Sequence, residues 1–356
     1  MKIAIIGGGI IGAALARHLN RAGADVTVFD TGPGATQASF GWVNASFFLN
    51  EDHFRLRAEG LAAWRRLGGH VSWSGCLCWE ETGEAFDAQR DQLVRLGYDL
   101  QEVGQAEFAA LEPQISAPPR ALRFMQEGIA PPAAANSALL DGVRRISGVR
   151  VLGIASRNDK VTGLQTAQGD MSVDRVVVAA GIGSPVILDT VGVALPMLSR
   201  PGLMLRTAAV PPVMRHILVT PGQEVRQDAG GHIWAPTAAN HQSDDAAQIT
   251  ERPDLLADAA LERLQRLLPQ QQLAWDHVML AQRPMPQDGL PVFGACGPEG
   301  MFVAVMHSGI TLAAITAELL APQILGTPLS NAQNALAAPY SIDRFQGDED
   351  STPARS

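Results

Sequence analysis

The sequence predicts an α/β chain built around a parallel sheet, and three observations predict it. Residues 3–6 form a short, unbroken apolar run at the N-terminus, the pattern of a strand covered on both faces. A glycine-rich turn over 7–12 then opens a helix over 10–22, with Ile11, Ala14, Leu15 and Leu19 on one face and Gly23 to end it. Residues 26–29 are a second apolar run, which closes a βαβ unit within about 30 residues of the start. Composition agrees: 46% of the 356 residues are hydrophobic and 18% charged, enough for a large core and too few charges for a disordered chain.

The turn carries chemistry as well as geometry. Gly7, Gly9 and Gly12 match GxGxxG, and they follow a strand and open a helix, as the motif requires. Gly7 permits the tight turn, Gly9 leaves room for a pyrophosphate beside the backbone, and Gly12 lets helix and strand approach. The helix start at Ile10 and Ile11 offers free N–H groups and partial positive charge to phosphates. Asp30 ends the second strand 18 residues beyond Gly12, followed by Thr31, where a carboxylate accepts from ribose hydroxyls. The pattern predicts a Rossmann-like unit with a bound dinucleotide and does not separate NAD from FAD.

The rest of the chain is read in order. Residues 31–50 are small and polar, a loop or short helix start, and 54–67 is a helix with Phe54, Leu61, Trp64 and Leu67 as its stripe. Residues 71–132 read as short strands and turns, with prolines at 113, 118, 119, 131 and 132 marking a domain crossing. A helix is expected over 137–146, then strands over 149–155, 161–166 and 173–179. Residues 197–242 are strand-like and rich in turns, 253–268 is an amphipathic helix, 301–305 a strand and 309–325 a final helix. Residues 343–356 read as a frayed tail.

Charge and cysteine content narrow the function class. Lys plus Arg number 27 against 36 Asp plus Glu, a formal net charge of -9, which argues against a nucleic-acid partner bound through phosphates. The 3 cysteines make no disulfide framework, and the Cys76–Cys78 pair has no second pair to complete a zinc site, so no metal is expected. No signal peptide and no run of about 18 apolar residues is present, so the expected location is cytoplasmic. Peripheral membrane contact and a homo-oligomer are left open.

What separates NAD from FAD lies downstream. The apolar strand 175–179 ends in Ala180 and Gly181, small residues that let the chain pass close to a cofactor. The block 283–294 leads to the strand 301–305, and His307, Ser308, Gly309, Ile310 and Thr311 then open a second helix. That helix start points N–H groups at something electron-rich. A flavin fits, because its reduced form carries negative charge near N1 and the C2 carbonyl.

At these residues the sequence resembles the FAD-dependent D-amino-acid oxidase superfamily, nearest to its glycine oxidase, sarcosine oxidase and D-amino-acid dehydrogenase branches. The resemblance rests on the 7–30 block, on Gly34-Ala35-Thr36-Gln37-Ala38-Ser39 with Gly41 and Asn44, on 176–181, and on the 283–294 and 307–320 blocks. It spans nearly the whole chain. It implies an α/β fold in which a Rossmann-like FAD-binding domain (1–75, 137–198 and 280–342) is interleaved with an α+β substrate domain built on an antiparallel sheet (76–136 and 199–279). It implies that Ala38, Ser39, Gly41, Trp42 and Val43 run along the pyrophosphate and flavin, and that Leu152 offers its backbone to the adenine.

The resemblance also implies a substrate site. Arg283 matches the family arginine that grips the substrate carboxylate, a role suited to a planar guanidinium making two parallel bonds. His307 stands where the glycine oxidase branch has a second arginine, and it either contacts substrate or flavin or packs. Glu224 occupies the strand position that often supplies a tyrosine. The simpler reading is an exposed loop glutamate, and if it faces the flavin it favours a substrate with a cationic side chain. The neighbourhood 280–282 has no cysteine to tether the flavin, so FAD is expected to be non-covalent.

The implied reaction oxidises the C–N bond of a small amino acid or N-methyl amino acid. Hydride passes to flavin N5, and the imine hydrolyses to an oxo acid. Oxygen or a quinone then takes the electrons. An NAD(P)-dependent dehydrogenase is the first rival, but it leaves the 283–294 and 307–320 blocks unexplained. A non-catalytic flavoprotein subunit is the second.

Overall fold

The computed structural model describes residues 1–239 and 245–345. β1 (Lys2–Ile6), α1 (Ile10–Arg21) and β2 (Asp25–Asp30) form the expected opening unit. β1 is buried beyond its first residue, as a strand covered on both faces must be. After β3 (Trp42–Val43) comes α2 (Glu51–Leu67), whose Asn50 cap accepts from the His53 N–H and whose first turn carries Glu51 and Asp52.

The stretch expected to hold only short strands and turns also holds two helices. It runs β4 (Cys76–Cys78), α3 (Gly83–Arg95), β5 (Gln101–Gly104), α4 (Gln105–Leu111), β6 (Arg120–Phe124) and β7 (Gly128–Ile129). In α3 only Phe86 and Leu93 are buried, a stripe too sparse to show as periodicity. The single helix expected over 137–146 is corrected. α5 (Pro132–Leu139) starts earlier, with a proline in its first turn, and β8 (Arg144–Ser147) follows as an exposed edge strand with no apolar run to betray it.

β9 (Val151–Arg157), β10 (Lys160–Thr166) and β11 (Gly169–Ser172) make a three-stranded antiparallel sheet, and β12 (Arg175–Val178) returns to β1. α6 (Ser184–Asp189), β13 (Met197–Leu198), β14 (Pro201–Thr207), β15 (Ile217–Thr220), β16 (Gln223–Gln227), β17 (Ile233–Pro236), α7 (Pro253–Leu267) and β18 (Trp275–Gln282) come next. β19 (Met285–Pro286), β20 (Val292–Ala295), β21 (Met301–Val305), α8 (Gly309–Leu325) and α9 (Asn331–Ala337) complete the chain. Residues 343–345, expected as the start of a frayed tail, are held in the fold instead. Ile342 is buried, Phe345 packs on the core, and Arg344 binds Asp288 at 2.7 Å. Residues 346–356 of that expectation lie outside the described residues.

Two sheets carry the molecule. The first runs β20-β21-β12-β1-β2-β8, parallel except for β20. The second runs β18-β14-β17-β16-β15-β4-β6-β5, antiparallel except where β15 meets β4. Alternation along the second sheet sends Cys76, Cys78, Leu122, Met204 and Val219 into a core shared with α1, α2 and α8. Leu77, Val103, Leu205, Leu218 and Val225 point the other way, onto α4 and α7. The cavity described next is walled by the ends of β1, β2, β12 and β21 and by β14, β16 and β18.

Candidate active site

The glycine turn is built by close approach. Gly7 has φ 112°, and a Cβ there would lie 2.2 Å from the carbonyl oxygen of Ala179. A Cβ on Gly12 would lie 2.0 Å from the Gly7 oxygen, so α1 sits directly on the turn. Gly9 caps α1 without a side-chain bond, and the Ile10 N–H donates to Thr36 Oγ1 at 3.0 Å. The Asp30 carboxylate hangs over the turn. A Cβ on Gly8 would stand 2.7 Å from its Oδ2, and the Gly32 N–H donates to its Oδ1 at 3.3 Å. Arg145 stays 3.8 Å away, a loose and partly exposed pair.

A second helix start faces the same space. Ser308 caps α8 in the left-handed conformation, φ 57°, and no acidic residue occupies the first turn. Gly60 of α2 lets that helix approach, since a Cβ there would meet the Thr311 oxygen at 2.7 Å. Trp64 Nε1 donates to the Ile310 oxygen at 2.8 Å. Thr311 Oγ1 donates to the Trp42 oxygen at 3.1 Å and accepts from the Asn44 N–H at 3.3 Å, which ties the loop after β3 to α8.

Two buried charges hold this loop, and the sequence reading named neither. Glu127 accepts from Tyr98 Oη (2.7 Å), Trp42 Nε1 (3.0 Å), Ser46 N (3.1 Å) and Ala45 N (3.2 Å). Burial raises its pKa, against the pull of those donors. Arg57 donates to Ser308 Oγ at 2.7 Å and to Asn44 Oδ1. Burial lowers its pKa to about 10. Arg57 had a signal: it falls on the stripe of Phe54, Leu61 and Trp64, so a charge lies on the buried face of the helix. Glu127 had none, because it lies in a turn between β6 and β7.

The antiparallel sheet supplies the remaining wall. Arg283 follows β18, where its N–H and Nε donate to the Arg200 oxygen at 2.8 and 3.2 Å and its Nη2 to the Pro201 oxygen at 3.5 Å. Glu224 lies in β16, opposite Val219 of β15, and is only 4% exposed. The reading of Glu224 as an exposed loop residue is therefore corrected: the register of β15 and β16 turns it inward. Glu80 reports the same acid nearby, its carboxyl pushed up to about 7 by burial first and then by Glu224 and Glu81.

These parts enclose one cavity of about 890 Å³. Every candidate cofactor or substrate residue from the sequence lines it except Gly12, Val43 and Leu152. Gly12 lies beneath the turn, and Val43 is fully buried in its pairing with Gly128. Leu152 lies in β9, 53% exposed and outside the cavity wall, while its neighbours Val149, Arg150 and Val151 reach it. Tyr98 and Arg226 are not on the wall. Arg226 is buried, donating to the Phe40 oxygen at 2.5 Å beside the Phe40 and Trp234 rings.

The cavity has the shape and donors of a dinucleotide site. It offers two helix starts, a backbone cradle where side chains do not fit, and a carboxylate above the turn. A family model described as FAD dependent oxidoreductase matches residues 2–323. The chain belongs to this family of FAD-dependent oxidoreductases. It is 24% identical to a glycine oxidase of Pseudomonas aeruginosa over 352 residues, covering 91% of this chain and 95% of that protein. It is 23% identical to a D-amino acid dehydrogenase of Rhizorhabdus wittichii, covering 97% of this chain and all of that protein. Its fold is that of the glycine oxidase of Bacillus cereus, at TM-score 0.82 and 20% identity, covering 94% of this chain and 97% of the other. The L-proline dehydrogenase of P. horikoshii superimposes at TM-score 0.83 and 18% identity, covering 97% of each chain. The cofactor is FAD and the chain is an enzyme of the amino acid oxidase and dehydrogenase class. No described helix is long and apolar enough to cross a membrane.

Proposed function

We propose that this enzyme oxidises the C–N bond of a small amino acid or N-methyl amino acid held by its carboxylate on Arg283. The observation that carries the reading is the shared cavity: Arg283 and Glu224 lie on the same wall system as both helix starts. When bound, FAD would supply the two-electron acceptor for the α-hydrogen, and the resulting imine would take up water and release ammonia or methylamine to leave an oxo acid. The turn at Gly7 and Gly9 and the α1 start would hold the pyrophosphate, and Asp30 would accept from the ribose. Arg283, braced by the Arg200 and Pro201 carbonyls, aims a fixed guanidinium at the substrate carboxylate. Met204, Met279 and Leu280 add apolar surface to the same cavity. His307, next to the α8 start, adds a ring that can meet substrate or flavin.

Glu224 sets the side-chain preference. A buried carboxylate on the cavity wall disfavours acidic substrates and favours a cationic side chain. The test is anaerobic mixing of the holoenzyme with D-, L- and N-methyl amino acids, reading loss of the oxidised flavin spectrum. Bleaching by an amino acid without added NAD supports the reading. No bleaching by any member of the panel overturns it in favour of a flavoprotein with another task. Repeating the panel with Glu224→Gln is expected to erase the advantage of cationic over neutral side chains, by about tenfold for a difference of ~1.4 kcal/mol.

A further inference from the structure

We propose that Arg57 is the buried cation that sets the electron affinity of the bound flavin. It stands on α2 in the stripe that packs against α8, and it is 4% exposed. Its two terminal nitrogens are engaged by neutral oxygens, Ser308 Oγ at 2.7 Å and Asn44 Oδ1. Its Nε has no hydrogen-bond partner in the protein. Among the described residues no carboxylate lies within ion-pair distance of it.

The acid that acts on Arg57 from further off is Glu127, whose charge is already met by four donors, from Tyr98, Trp42, Ser46 and Ala45. A guanidinium stays charged at neutral pH, and a buried charge whose counter-charge lies beyond ion-pair distance is costly. Arg57 therefore stands on the cavity wall as a cation that a bound anion would stabilise further.

The position of Arg57 says which anion. Its Ser308 partner is the cap of α8, so the guanidinium and the helix start present positive charge at the same place. Its Asn44 partner belongs to the loop beside Trp42, which α8 also binds. Arg283, the candidate for the substrate carboxylate, is held by carbonyls of the antiparallel sheet instead. The group that gains negative charge at the α8 start is the flavin ring on reduction. A fixed cation there favours the reduced form and any adduct that leaves the ring anionic. The inference rests on FAD in the cavity and not on the identity of the substrate.

The test uses the holoenzyme without substrate. Sulfite adds to flavin N5 as a nucleophile and leaves the ring anionic, so its dissociation constant reads the same stabilisation as the two-electron potential. Arg57→Met and Arg57→Gln remove the charge, and Gln keeps a donor for Asn44 or Ser308. Arg57→Lys keeps the charge. Charge removal is expected to weaken sulfite binding about tenfold and to lower the potential by about 30 mV, the two-electron equivalent of that factor. Arg57→Lys is expected to stay within about threefold of the parent.

An unchanged potential and sulfite affinity in Arg57→Gln, with FAD retained, overturns the proposal and leaves Arg57 a clamp on the loop. So does an unchanged potential with loss of benzoate binding, which assigns Arg57 to a substrate carboxylate. Should neither charge-deleting variant retain FAD as purified, both are measured with FAD added in excess: a weaker sulfite affinity than the parent upholds the proposal, and a parental one overturns it. None of these readouts depends on amino acid turnover, so this inference and the proposed reaction stand or fall separately.

Discussion

Arg283 and Glu224 reach the cavity from one sheet, the first after β18 and the second within β16. Arg283 is the residue whose loss is most informative. Arg283→Lys keeps the charge but not the planar fork, and Arg283→Ala leaves a substrate carboxylate unpaired. Losing a buried, hydrogen-bonded charge partner costs roughly 2–5 kcal/mol, about 30-fold to several thousand-fold in binding. The expected order of anaerobic flavin-reduction efficiency is parent, Lys, Ala, with FAD content unchanged. Equal efficiency in Ala and parent removes Arg283 from the site and leaves His307, since Arg226 is not on the wall. Asp30→Ala tests the nucleotide end. Its carboxylate has a loose pair with Arg145 and one long bond from the Gly32 N–H, so the fold leans on it little. FAD affinity is expected to fall by about 1.5–3 kcal/mol, the range of a charge-assisted hydrogen bond, measured by reconstituting apoprotein. Parental affinity in the variant means that Asp30 does not hold the ribose.

α2 joins stability to the site, because one helix carries His53, Arg57, Gly60 and Trp64. His53 Nδ1 accepts from the Leu49 N–H at 3.3 Å, which places the proton of the neutral ring on Nε2. Burial first, and Arg57 second, lower its pKa to about 3 from 6.5. Between those values the unfolded chain binds the proton and the folded one does not, so stability is fully present above about 6.5 and falls as pH drops toward 3. The whole effect is on the order of 5 kcal/mol, spread over that window. His53→Gln is expected to flatten the acid side of a urea-unfolding series taken from pH 7 to pH 4. A slope equal to that of the parent would show that other groups carry the acid sensitivity.

Across the whole molecule, the cavity draws its walls from both large sheets, so cofactor occupancy and global stability are linked. A ligand at 100 times its dissociation constant adds about 2.7 kcal/mol to the folded state. Apoprotein is therefore expected to melt below holoenzyme, with the gap closing as FAD is added back. Cys76, Cys78 and Cys296 are buried, and none lines the cavity. Burial also raises the pKa of each thiol, to about 12 for Cys296. FAD is accordingly expected to be released by acid precipitation. A yellow pellet beneath a colourless supernatant would falsify the non-covalent assignment.

What the sequence determined by itself is the part written in local pattern. The turn from Gly7 to Gly12, the strands on either side of α1, and the 17-residue α8 depend on neighbours within a few positions, so periodicity and glycine spacing suffice to place them. Asp30 is legible for the same reason, being the last residue of a strand whose start and direction are already known. Tertiary structure alone decided which side chains of the second sheet face the cavity. Glu224 looks inward only because β16 pairs in one register between β15 and β17, and a shift of one residue would turn it outward. Leu152 shows the same dependence in reverse, falling just outside the wall that Val151 reaches. Arg57 and Glu127 lie furthest from what a linear reading reaches. The spacing of α2 marks Arg57 as a charge on a buried stripe, but the partners that explain it and Glu127, among them Ser308, Asn44 and Tyr98, come from 251, 13 and 29 positions away, and pairing of that kind leaves no trace in spacing or composition.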